Sequence, residues 1–135
     1  MTHLLDTSAL LAHYLAEPGA ERVQTLFEDD AVVAGASILS LYEFELRLHQ
    51  LGVDTATRAT ELNRYRALLN EVVVVDEVVR SEAIRLRTSA TAHVAAMDVL
   101  IAATASLKNA TLVHRDPHFA AIPSSLLKQE VLPAK

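Results

Sequence analysis

A chain of 135 residues with 51% apolar and 21% charged side chains has the length and composition of one compact domain, which excludes a disordered or fibrous chain. The absence of cysteine excludes disulfides, thiolate metal sites and a cysteine nucleophile. With 12 Lys and Arg against 17 Asp and Glu the formal charge is −5, the wrong sign for attraction to a polyanion unless clustered carboxylates are masked by divalent cations.

In chain order, His3-Leu4-Leu5 reads as a short buried strand ending at Asp6. Helices near residues 8–16 and 19–29 follow, parted by the helix-breaking Glu17-Pro18-Gly19. Ala31-Val32-Val33-Ala34 reads as the second strand. Helices near 37–51 and 55–70 come next, separated at Gly52-Val53-Asp54; Arg58, Glu61, Arg64 and Arg66 give the later one a solvated face. Val72-Val73-Val74-Val75 is the third strand, after which Asp76-Glu77 caps a helix near 77–92 and complements its dipole. A helix near 96–108 leads to a fourth strand, Thr111-Leu112-Val113. Asp116-Pro117 then opens a turn, and Gln129-Glu130-Val131 forms a last short strand.

Apolar strands without polar alternation, separated by helices, predict a three-layer α/β domain spanning 1–135. Its centre is a mostly parallel, Rossmann-like sheet of four to five strands with helices on both faces. No segment approaches the ~18 uninterrupted apolar residues of a membrane span, and the N-terminus lacks a basic region followed by an apolar stretch. A soluble, cytoplasmic protein without membrane association is expected.

In an open parallel sheet, ligands bind beyond the carboxyl ends of the strands, where strand order reverses. Asp6 and Asp116 fall there if the first and fourth strands are neighbours. Asp98 belongs to the stripe Val94, Asp98, Ile101, Ala102, Ala105, which has the spacing of a core-facing helix side. A lone ion on such a face is costly, so it calls for a cation, a hydrogen-bond network or the mouth of a pocket. Small side chains from Ala102 to Ala105 let that helix lie close to the sheet. Glu43 stands between Leu39 and Leu46 on one edge of the helix near 37–51. Four carboxylates sharing one cleft repel each other, and an all-oxygen set suits a hard cation such as Mg²⁺ or Mn²⁺.

Each acid also has a plainer reading. Asp6 can cap the first helix, and Ser40-Leu41-Tyr42-Glu43 fits an S-x-x-E capping box. Asp98 can pair with Arg85 or Arg87, and Asp116 before Pro117 is a common turn opener.

Four segments carry a family resemblance: Leu4-Leu5-Asp6-Thr7-Ser8-Ala9-Leu10-Leu11, Ser40-Leu41-Tyr42-Glu43, Ala96-Met97-Asp98-Val99-Leu100-Ile101-Ala102-Ala103-Thr104-Ala105, and Leu112-Val113-His114-Arg115-Asp116-Pro117-His118-Phe119. In order and spacing they look like the successive motifs of PIN domains, over nearly the whole chain. The resemblance implies a metal-dependent endoribonuclease with Asp6, Glu43, Asp98 and Asp116 as ligands of Mg²⁺ or Mn²⁺, and with Thr7 or Ser8 as the hydroxyl that orders the site. It further implies a toxin of the VapC type, with RNA as substrate, a VapB-like antitoxin as partner and a homodimeric assembly. His114-Arg115 before the fourth acid departs from the pattern, as does the Ala- and Thr-rich, glycine-free segment before Asp98.

Other chemistries lack their residues. Gly19, Gly35 and Gly52 are isolated, so neither a dinucleotide fingerprint nor a phosphate-binding loop can be written. Ser8 stands where a D-x-D phosphatase needs its second acid. There is no H-E-x-x-H, and Pro117 breaks the helical spacing of His114 and His118. Arg47, Lys108 and Arg115 are the candidate phosphate contacts. The competing function is a PIN-like protein-binding module that keeps its acids but turns over little or no substrate.

Overall fold

The strand and helix alternation of the sequence is realised in the computed structural model, which describes residues 1–135. The chain runs β1 (His3–Leu5), α1 (Thr7–Tyr14), α2 (Ala20–Glu28), β2 (Ala34–Ser37), α3 (Ile38–Gln50) and α4 (Thr55–Leu68). It continues through β3 (Glu71–Val73), α5 (Glu77–Ser89), α6 (Ala96–Leu107), β4 (Thr111–His114), a short 3-10 turn at Pro117–Ala121 and β5 (Gln129–Val131).

All five strands are parallel, in the order β3-β2-β1-β4-β5. The chain builds outward from β1 to β3, then crosses back to β4 on the other side of β1. Strand order therefore reverses between β1 and β4, whose residues pair Leu4 with Leu112 and Leu5 with Val113. This puts the residues after both strands side by side at one edge of the sheet.

Alternation along the strands sends neighbouring residues to opposite faces. Leu4 and Leu112 join Val79, Ala83 and Leu86 of α5 and Ile101, Ala102 and Ala105 of α6 in one core. Leu5 and Val113 join Leu10, Val23, Leu26, Phe44, Leu48 and Tyr65, drawn from α1 through α4, in the other. The result is the three-layer α/β architecture expected from the sequence. No helix is long and apolar enough to cross a membrane.

Two strand positions differ from the sequence expectation. The second strand is Ala34-Gly35-Ala36-Ser37 rather than Ala31–Ala34; all four of its residues are buried, whereas Val33 is 40% exposed. Close packing explains the glycine: a Cβ added to Gly35 would run into the Met1 side chain and lie 3.0 Å from the Glu71 carbonyl oxygen. Small residues have weak β-propensity, so the apolar weight of Val32-Val33 draws the expectation too early. The third strand likewise stops at Val73. Its partner β2 turns into α3 after Ser37, which pairs with Val73, and Val74 has no strand left to bond.

Candidate active site

Asp6 leaves β1 at the reversal point and is only 4% exposed. Its Oδ2 accepts hydrogen bonds from the Ser8 amide at 3.1 Å and the Ser8 hydroxyl at 2.6 Å, while Oδ1 is buried with no partner. The capping reading is therefore correct for half of the carboxylate. Burial pushes the Asp6 carboxyl up to about 6, against the Ser8 hydrogen bonds and with a further upward push from Glu43. The Ser8 hydroxyl also accepts from the Arg115 amide at 2.9 Å, tying the end of β1 to the segment after β4.

Thr7 Oγ1 donates to Glu43 Oε1 at 2.7 Å, a link from the first turn of α1 to the middle of α3. The capping-box reading of Glu43 is overturned. Helix α3 starts earlier, with Ser37 as its N-cap accepting from the Leu39 amide at 3.1 Å. Ser40 lies inside the helix, fully buried, with its hydroxyl unpartnered.

Asp98 stands in the first turn of α6, whose N-cap, Ala95, offers no side-chain acceptor. The alternative of an arginine pair also fails: Arg85 binds Glu82 at 2.6 Å, and Arg87 lies 3.2 Å from His93. No cation stands against Asp98. Its carboxyl is pushed up to about 6, first by burial and then by the negative charges of Asp6, Asp116 and Glu43, with His118 acting the other way. Three acids from three other elements thus act on one carboxyl.

Asp116 opens the 3-10 turn as its residue type suggests, accepting from the His118 amide at 2.9 Å and facing His118 Nδ1 at 2.9 Å. Its own amide donates to Nδ1 of His114 at 3.1 Å. His114 is buried, and burial lowers its imidazole pKa. In the sequence His114 stands out as a departure before the fourth acid and, with His118, as a ligand spacing that Pro117 breaks; its hydrogen-bonding partner Gln129 is remote in sequence.

The basic candidates are mostly engaged elsewhere. Arg115 binds Glu17 at 2.9 Å and the Pro18 carbonyl at 3.2 Å, and Lys108 binds Glu71 at 2.9 Å. A groove of 470 Å³ lies between α5 and α6 among Ile84, Arg87, His93, Val94 and Leu100 rather than over the acids.

Asp6, Glu43, Asp98 and Asp116 therefore meet electrostatically at the carboxyl edge of β1 and β4. A buried, unpartnered carboxylate oxygen among four carboxylates fits a hard divalent ion by donor chemistry. No three acidic or histidine side chains stand close enough to share an ion in their present rotamers, so the acids form a loose acidic cluster rather than a preformed cage.

The sequence matches the PIN domain family model over residues 3–124. Among solved structures, VapBC2 from Rickettsia felis bound to a DNA fragment from its promoter superposes with a TM-score of 0.79 at 21% identity, covering 98% of this chain and 100% of that one. DNA-bound VapBC from Salmonella typhimurium gives 0.76 at 18% identity, covering 96% and 97%. VapC20 of Mycobacterium tuberculosis, a sarcin-ricin loop cleaving toxin, gives 0.68 at 18% identity, covering 89% and 94%. At these identities the likeness is one of fold. No curated protein matches the chain.

Proposed function

Because the chain belongs to the PIN-domain family, we propose that it is a Mg²⁺- or Mn²⁺-dependent endoribonuclease acting as the toxin of a type II toxin-antitoxin pair. The observation that carries this reading is the convergence of Asp6, Asp116 and Glu43, from three other elements, on the half-buried Asp98 carboxyl, with His118 acting against them.

Asp6, through its free Oδ1, would hold the ion together with Asp98, Asp116 and Glu43. Such an ion, when bound, supplies an activated water and neutralises charge at the scissile phosphate. The chain's own side chains prepare the site. Ser8 occupies Asp6 Oδ2 and leaves Oδ1 free, and Thr7 holds one oxygen of Glu43. Water attack on phosphorus with departure of the 3′ oxygen leaves a 5′-phosphate and a 3′-hydroxyl.

The solved VapBC structures support a VapB-like antitoxin as partner. A homodimer and a cytoplasmic location belong to the same reading. The test is RNA cleavage that depends on added Mg²⁺ or Mn²⁺ and is lost in Asp98→Asn.

One observation favours a second reading. Because no three acids are close enough to share an ion as they stand, a binding module with little turnover fits the acidic cluster as well. Antitoxin binding without metal-supported cleavage would select it.

A further inference from the structure

His114 closes β4 at 1% exposure, with its ring centroid 4.6 Å from that of Phe119. Its Nδ1 lies 3.1 Å from the Asp116 amide and its Nε2 lies 2.7 Å from Gln129 Oε1. Gln129 Nε2 in turn lies 3.0 Å from the Phe119 carbonyl oxygen. The two ends of this chain of bonds are backbone groups of fixed polarity. The Asp116 amide can only donate, so Nδ1 carries no proton. The Phe119 carbonyl can only accept, so the Gln129 amide nitrogen faces it and Oε1 faces the ring. The ring proton therefore sits on Nε2 and is donated to Gln129. Every group in the chain has one orientation, and β5 is coupled through it to the backbone of Asp116.

We propose that His114 is a positioning residue for Asp116: the lone pair on its Nδ1 fixes the backbone that presents the fourth acid to the acidic cluster, and Gln129 fixes His114. The importance of this for ion binding rests on the metal-dependent reading above; the fixing of the backbone does not. A group that orients a ligand in this way changes metal affinity by about 10- to 100-fold when removed. The acceptor can be isolated chemically. In His114→Asn the side-chain oxygen takes the place of Nδ1, whereas His114→Leu has the same branching without an acceptor.

The experiment has two readouts on the wild type and both variants, with circular dichroism as the check on folding. Hydrogen exchange at the Asp116 amide, measured without metal, is expected to be slow in the wild type and His114→Asn and fast in His114→Leu. Direct titration with Mn²⁺ is expected to show about tenfold weaker binding in His114→Leu and affinity restored to within about twofold in His114→Asn. Starting from Asp116→Asn, His114→Leu should weaken binding no further, because its effect passes through Asp116. If His114→Leu and His114→Asn exchange alike, or if the loss of affinity is undiminished in the Asp116→Asn background, the positioning role is overturned. A wild type that protects the Asp116 amide but binds no Mn²⁺ removes the metal-dependent reading and leaves the role of His114 in place.

Discussion

Ser8 holds one oxygen of Asp6 from two directions, amide at 3.1 Å and hydroxyl at 2.6 Å, and the other oxygen is left buried without a partner. The site's chemistry follows from that asymmetry. A carboxylate that were only a helix cap would have its second oxygen in water.

Asp6 should make stability depend on pH. Its carboxyl is pushed up to about 6 from 3.8, so between these values the folded protein binds the proton more tightly than the unfolded chain. Metal-free stability thus falls as pH rises from about 4 to about 6 and levels off above. Asp6→Asn removes this component. In urea denaturation the variant should match the wild type near pH 4 and exceed it by about 2–3 kcal/mol at pH 7. A difference independent of pH would contradict the assignment.

Divalent ions should reverse the penalty. Mn²⁺ at about 100 times its dissociation constant should stabilise the wild type by about 2.7 kcal/mol, read as a rise in Tm. Asp98→Asn should lose most of that rise while gaining stability without metal.

Thr7 should matter to activity more than to folding. Thr7→Val removes the bond to Glu43 and should cost about 1 kcal/mol of stability. The accompanying loss of RNA cleavage should exceed tenfold if Glu43 must be held in place. Thr7→Ser should restore most of it. Equal cleavage by all three proteins would remove Thr7 from the site.

The two serines at the start of α3 should behave oppositely. Ser37 caps the helix, so Ser37→Ala should destabilise by about 1 kcal/mol. Ser40 buries an unpartnered hydroxyl, so Ser40→Ala should be neutral or stabilising by about 1 kcal/mol. The capping-box arrangement predicts the reverse order, and thermal melts decide between them.

The sheet order and the strand ends that carry two of the acids are legible because they rest on local pattern and topology. Asp6 and Asp116 follow apolar strands, and an all-parallel order with reversal between β1 and β4 sets the segments that carry them side by side. Asp98 was visible as a carboxylate on an apolar stripe. What escaped depends on contacts between distant segments. Gly35 of β2 is crowded by Met1 and Glu71, which no local propensity records. His114 gains its meaning from Gln129 on β5, and Arg115 is paired with the distant Glu17.

The most direct measurement is cleavage of total RNA by the purified protein, free of any partner, with Mg²⁺ or Mn²⁺, with EDTA, and as Asp6→Asn and Asp98→Asn. Discrete fragments with 5′-phosphate ends, absent with EDTA and in both variants, are the predicted result. No cleavage by the metal-supplied wild type, or cleavage that survives EDTA and both substitutions, would contradict the account.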